Sequence, residues 1–288
     1  MNKHFRDNVI FVLISTAAFL SEPATVYAQT NPYSPINFTE PLSLYRGKIS
    51  PVSPDAVYLD EKDRCNLLIN EWGWQSCDDI EAMIFGLAPG IDTIMVETAN
   101  TDGFVKFDDW ADANRQDEID AIWNDYVEGS KAQGERLGQS IVPVKWYVYP
   151  TLNEEKSYLY YAILLNWDGE LIINTKASLF DRQGYVPVHI VPENSELSEA
   201  ELQKLVEISL VAYAANTEQA YFDFKDGDKV AAVGALGVLA ALVGVKYGKA
   251  AAAGFIGVLL LLFKKAWFVL LIPLVFLKKL FTGKKEAE

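Results

Sequence analysis

The sequence predicts an α+β fold, an antiparallel sheet with packed helices, followed by C-terminal membrane helices. Three observations lead there. Strand-like stretches meet at hairpin turns, most clearly Asp168-Gly169 between Tyr158–Trp167 and Glu170–Ser178. Other stretches carry apolar residues at helical spacing, as Ile119, Ile122, Trp123, Tyr126 and Val127 do. The end of the chain holds three apolar runs, Val230–Val245, Ala250–Phe263 and Ala266–Leu277, punctuated by lysines.

The N-terminus has the layout of a secretory signal peptide over residues 1–28. Lys3 and Arg6 precede the apolar run Val9–Leu20, and Val26-Tyr27-Ala28 is a small-x-small cleavage site. Residues 29–54, with Pro32, Pro35, Pro41, Pro51 and Pro54, read as an extended lead segment. An exported soluble α+β domain then covers 55–228.

Within it, Asp60 caps a helix over Lys62–Trp72, with Cys65, Leu68, Ile69 and Trp72 on one face. Asp78 starts a second short helix, Ile80–Phe85, ended by Gly86 and Pro89-Gly90. Ile91–Thr98 and Gly103–Phe107 read as a hairpin around Asn100-Thr101-Asp102-Gly103. A helix from Asp117 to Arg136 follows. Strands over Ile141–Tyr149, Tyr158–Trp167 and Glu170–Ser178 come next. Pro187 breaks Tyr185–Val191 and makes it an edge strand or an extended loop. Ser198 and Glu201 form a capping box ahead of a helix marked by Leu202, Leu205, Val206 and Tyr213.

The tail reads as membrane-associated. Residues 229–249 are expected to form a transmembrane helix, because Lys229 and Lys246 can snorkel to the two interfaces. Ala240, Gly244, Gly248 and Ala252 recur every fourth residue and offer a face for helix self-association. Residues 250–281 form a second membrane-associated helix, lying at the interface or spanning. Spanning would bury Lys264 and Lys265 at about 2.5–3.5 kcal/mol each. Lys264 and Lys278, and likewise Lys265 and Lys279, fall on one helical stripe, which suits lysines turned toward anionic head groups. Pro273 would kink this helix. Residues 282–288 are then a cytoplasmic tail.

Charge divides the same way. Residues 29–228 carry 14 Lys and Arg against 35 Asp and Glu, whereas 229–288 carry 9 against 2. Positive flanks stay inside. The expected partner is therefore the lipid bilayer, with self-association through the tail or contact with another envelope protein. The acidity excludes nucleic acid as a partner.

No catalytic, cofactor or metal constellation stands out. Cys65 and Cys77 fit either a disulfide in an oxidising compartment or two buried thiols. His189 lies among apolar neighbours, as a packed residue or a lone general base. Asp102, Asp108, Asp109 and Asp112 are close in sequence but lack EF-hand spacing, and a solvated acidic loop explains them. Trp72 and Trp74 put two rings near a turn and are candidate partner-binding aromatics.

The stretch Tyr221-Phe-Asp-Phe-Lys-Asp-Gly-Asp-Lys229-Val-Ala-Ala-Val-Gly234 resembles the junction of a bacterial family of membrane-anchored proteins of unknown function. That junction reads Y-x-D-F-x-x-x-x-D-K-V-A-A-Y-G and leads into Ala/Gly-rich, then Lys-bearing, apolar helices. Tyr58-Leu59-Asp60, Leu87-Ala-Pro89, Asp102-Gly103-Phe-Val105, Val144-Lys-Trp146, Leu159-Tyr-Tyr-Ala162 and Leu171-Ile-Ile-Asn174 follow in the same order. Val233 stands where the family junction has tyrosine. The resemblance implies an exported domain at the inner membrane of a Gram-negative cell, with the main domain in the periplasm, and implies no activity. Two functions stay open: a non-catalytic interaction or envelope-support module, and a periplasmic hydrolase using carboxylates or a metal.

Overall fold

The computed structural model describes residues 33–247 apart from positions 73 and 75. The chain forms a mixed α/β protein with antiparallel sheet and few helices, and it divides into two compact units. The first takes in residues up to 99 and 188–217; the second takes in 100–187 and the residues from 218 on.

The first unit begins inside the expected lead segment. Instead of running extended, residues 36–49 supply β1 (Ile36–Asn37), β2 (Leu42–Ser43) and β3 (Gly47–Ile49). β4 (Val57–Tyr58) pairs with β1. Asp60 then caps α1 (Glu61–Asn66), its side chain accepting from the Asp63 N–H. The chain continues through a π-helical turn, Leu67–Glu71. Leu68 is buried there, but Ile69 and Trp72 are exposed, so the expected apolar face is only half used.

Ile80–Phe85 is strand β5, not a helix. Six residues are too few for an uncapped helix, and the segment gains a partner on each side, β4 and β6 (Ile91–Glu97). The partner of β6 in its hairpin is therefore β5, and Gly103–Phe107 is not a strand. Phe104 there makes a single bridge to Val230.

The second unit carries a 3-10 turn, Asp108–Ala111, and then α2 (Arg115–Leu137). Gly138 ends α2 at φ 68°, a left-handed position that suits glycine. Strands β7 (Ile141–Asn153), β8 (Tyr158–Trp167) and β9 (Glu170–Asp181) form the antiparallel sheet of this unit. Asp168 and Gly169 take φ 50° and 96° at the two-residue turn between β8 and β9. β7 is an edge strand, interrupted by three register shifts and by Pro143 and Pro150, features that discourage pairing with another chain.

β10 (Gly184–Pro192) belongs to both units. It is not an edge: it neighbours β9, and residues 188–192 pair with β6. Returning to the first unit, Ser198 and Glu201 form the capping box of α3 (Glu199–Val211). Tyr213 lies beyond that helix, in β11 (Tyr213–Ala215), which pairs with β3.

The largest departure is the expected transmembrane helix. Among the described residues of 229–249, the second unit has one helix, α4 (Ala235–Val243), nine residues or roughly 14 Å long. Every residue of it but Ala241 is buried. It packs with Val105, Trp110, Ile119, Ile122, Leu159, Tyr161, Ile163 and Leu165 as the core of its unit. Among the described residues no helix is long and apolar enough to cross a membrane. Composition alone does not separate the two fates, since protein core and bilayer both take such a helix out of water. The packed second unit thus continues past 228. The signal peptide at 1–28, the second membrane-associated helix at 250–281 and the tail at 282–288 lie outside the described residues.

Candidate functional site

The second unit gathers its polar groups around α4. Glycine precedes this helix, so the first turn has no side-chain cap of its own. Asp109, from the 3-10 turn, supplies one. Its Oδ1 accepts from the Ala235 N–H at 2.9 Å and its Oδ2 from the Leu236 N–H at 3.0 Å. A side chain on residue 234 would run into this carboxylate, which is why glycine fits there. Burial pushes the Asp109 carboxyl above its usual range, and the backbone donors only partly offset that. At the other end, the Tyr161 hydroxyl donates to the Leu242 carbonyl at 2.9 Å. Gly244 then turns left-handed and ends the helix.

The junction residues ahead of α4 are fasteners as well. The Tyr221 hydroxyl donates to the Val105 carbonyl at 2.8 Å. Its ring stacks on Phe104 and Phe107, and Phe224 stacks on the same Phe104. Asp223 accepts from the Ala220 N–H. Asp228 takes Arg182 in a bidentate pair at 2.6 and 2.7 Å and also accepts from the Lys225 N–H. The Arg182 hydrogen bond, then that backbone donor, hold the Asp228 carboxyl down at about 2. Burial first, then Asp108 and Glu154, push the Tyr221 hydroxyl far up.

A cleft of about 300 Å³ opens beside the start of α4, lined by Asp109, Asp112, Arg115, Glu118, Gly234 and Tyr247 among others. Arg115 lies over the Trp110 ring at 5.7 Å and donates to the Trp110 carbonyl. The Tyr247 hydroxyl is pushed up to about 12, chiefly by burial and then by Glu118, Asp109 and Asp112. The carboxylate best placed to act on a ligand, Asp109, is already committed to two backbone donors.

In the first unit Cys65 and Cys77 are joined by a disulfide, Cα atoms 5.2 Å apart, closing the segment that carries Trp72 and Trp74. Trp72 is exposed. Trp74 is half-buried against the small core of this unit, its ring 6.4 Å from that of His189. His189 Nε2 meets the Glu97 carboxylate, so this histidine is hydrogen-bonded within the sheet.

The other singled-out residues do not converge. Asp102 bonds locally with Asn100, and Asp112 with the Asn114 N–H, while Asp109 turns to α4. Among the described residues no group of three or more His, Cys, Asp or Glu is placed to hold a metal ion. Ala240 is buried in the core and Gly244 ends α4, so the two do not continue one exposed helix face. Gly248 and Ala252, with Lys264, Lys265, Lys278 and Lys279, lie outside the described residues. The pairings of Asp109 with the start of α4, of Tyr161 with its end and of Arg182 with Asp228 carry no sequence signal, because each joins residues 46 to 127 positions apart.

Fold and site together define a mixed α/β protein whose polar groups serve mainly to fasten a buried helix. The chain belongs to the family described as protein of unknown function (DUF2167), whose model matches residues 45–275. That match runs through both units and past α4. The solution structure of cyanobacterial PsbP (CyanoP) from Synechocystis sp. PCC 6803 is similar at 8% identity and a TM-score of 0.35, over 68% of this chain and 99% of that one. No curated protein matches the chain in sequence.

Proposed function

We propose that this protein is a non-catalytic interaction or envelope-support module, exported to the periplasm and held at the inner membrane by residues 250–281. The Cys65–Cys77 disulfide supports the reading most, because such bonds persist in oxidising compartments and are rare in the cytosol. The signal-peptide pattern of residues 1–28 agrees with it. So does the way the site's charged groups are used. Asp109 caps a helix, Asp228 pairs with Arg182 and His189 pairs with Glu97.

Since α4 fills a core, attachment falls to the apolar runs after Lys249. Lys264, Lys265, Lys278 and Lys279 stripe that segment as an interfacial helix would require. The globular units and the segment then share the periplasmic face of the membrane. Alkaline phosphatase fused after Tyr247, and separately after Glu288, tests this, since the enzyme works only outside the cytoplasm. Activity at both positions is expected, with the protein in the membrane fraction. An inactive fusion at 247 sinks the export; an active 247 with an inactive 288 turns the interfacial helix into a span.

A further inference from the structure

We propose that the cleft beside the start of α4 binds a phosphodiester of ethanolamine, a small zwitterion whose phosphate meets Arg115 and whose ammonium meets Glu118 and Asp112. The site lies within the second unit and needs no membrane, so it and the role proposed above stand or fall separately.

The cleft holds charges of both signs that do not neutralise one another. Arg115 and Glu118 both line it and lie three residues apart on α2, a spacing at which such a pair ordinarily closes. It does not close here. Trp110 holds Arg115 instead, with the guanidinium 5.7 Å from the ring centroid and donating to the Trp110 carbonyl at 3.2 Å. Among the described residues no ion pair joins Arg115 to Glu118 or Asp112. The cation is thus fixed in place while most of its N–H fork stays available, and that fork matches a phosphate. Arg115 is also the first residue of α2, where the helix dipole is positive, and Asn114 supplies no side-chain cap there.

The anionic half is placed as well. Glu118 is half-buried, and among the described residues no hydrogen bond engages its carboxylate. Asp112 uses Oδ1 on the Asn114 N–H and keeps Oδ2. Asp109 is taken up by α4. Burial first, then Glu118, Asp109 and Asp112, push the Tyr247 hydroxyl up to about 12, so the three charges converge on a phenol that stays protonated at neutral pH. An ammonium seated there meets two uncommitted carboxylates and a hydroxyl. A plain amine would leave Arg115 unanswered, and a plain phosphate would face the carboxylates. A volume of about 300 Å³ is at the lower end for ligand pockets, which suits a head group rather than a nucleotide.

The full chain in dodecyl maltoside, a detergent with neither amine nor phosphate, is titrated by calorimetry with glycerophosphoethanolamine, and separately with phosphatidylethanolamine in the same micelles. Saturable binding of at least one probe is expected. The free ester alone points to a soluble ligand and the lipid to a membrane head group, and either result supports the site. Ethanolamine and glycerol phosphate each lack one pole, and glycerophosphocholine lacks the ammonium N–H donors; each should bind at least about tenfold more weakly. Arg115→Gln and Glu118→Gln should each weaken binding about tenfold or more, and Glu135→Gln, near the far end of α2, should leave it unchanged. In the natural chain the Glu118 and Gly234 amide resonances should move as the ester is added while those of β5 and β6 stay, which locates the site without any substitution. The proposal is overturned by no saturable binding of either probe, or by a one-pole probe binding as tightly as the diester. Folded Arg115 and Glu118 variants that bind like the natural chain, or resonance shifts confined to the first unit, overturn it too.

Discussion

The two units close their cores by opposite means. The first sets two- and three-residue strands, a six-residue α1 and a π-helical turn beside β5, β6 and the 13-residue α3. It adds a covalent staple and a capping box, and beside the cluster around Leu68, Met83 and Met95 it buries Ile84, Ile91, Ile94, Leu202 and Val206. The second has a 23-residue helix, strands of ten to thirteen residues and no cysteine. It gathers its sheet, α2 and an inserted apolar helix into one core, fastened by side chains from far along the chain. A two- or three-residue strand buries too little apolar surface to hold itself, so local devices pin the short elements of the first unit. Long hairpins bury enough, but their core stays open until the last segment arrives.

The sharpest way to break this contrast is to stop the chain after Asp228. Five large side chains leave the second core: Leu236, Val238, Leu239, Leu242 and Val243. Each contributes about 1.5–3 kcal/mol when buried, against a net domain stability of about 5–15 kcal/mol. Amides of β8 and β9 should then exchange as in an unfolded chain, while a chain ending at Tyr247 keeps them protected. Protection of β8 in the shorter chain would show that α4 is an ornament to the core, not part of it.

Finer cuts follow in order of size. Leu239→Ala, at a fully buried site, should cost about 2–5 kcal/mol in urea unfolding. Replacing Cys65 and Cys77 by serine should cost about 2–4 kcal/mol through the freed loop. The comparison predicts where that loss appears. β5 and β6 amides should exchange faster while those of β8 and β9 hold. Equal loss in both units would mean that they do not close independently.

Legibility in the sequence followed the same divide. Local signals were plain: the Asp60 and Ser198 caps, the Asp168-Gly169 turn, α2, and strands β6 to β9. Ile80–Phe85 was misread because a six-residue apolar run has no period of its own, and only pairing with β4 and β6 makes it a strand. Pro187 suggested an edge, yet β10 has strands on both sides. Val230–Val245 was misread because hydropathy measures flight from water and is silent on the destination. The junction around Tyr221 and Asp228 stood out by resemblance alone. Its physical meaning lay in Phe104, Val105 and Arg182, which no local pattern connects to it.

The smallest expected effect is confined to acid and to the second unit. Asp228 sits at about 2 in the fold, first because of its hydrogen bonds with Arg182 and then through the Lys225 backbone donor. A carboxylate whose folded value is depressed stabilises the fold above its unfolded value, near 3.9, and that contribution is lost as pH falls toward the folded one. Between roughly pH 4 and 2 the natural chain should therefore lose stability in the second unit more steeply than Asp228→Asn. The pair is near the surface, so the difference should shrink further in high salt. Urea unfolding followed by exchange of β9 amides at a series of acid pH values reads this directly. A variant curve parallel to the natural one throughout the window would mean that the Arg182 clasp does not hold the junction, and that α4 stays in place through its core contacts alone.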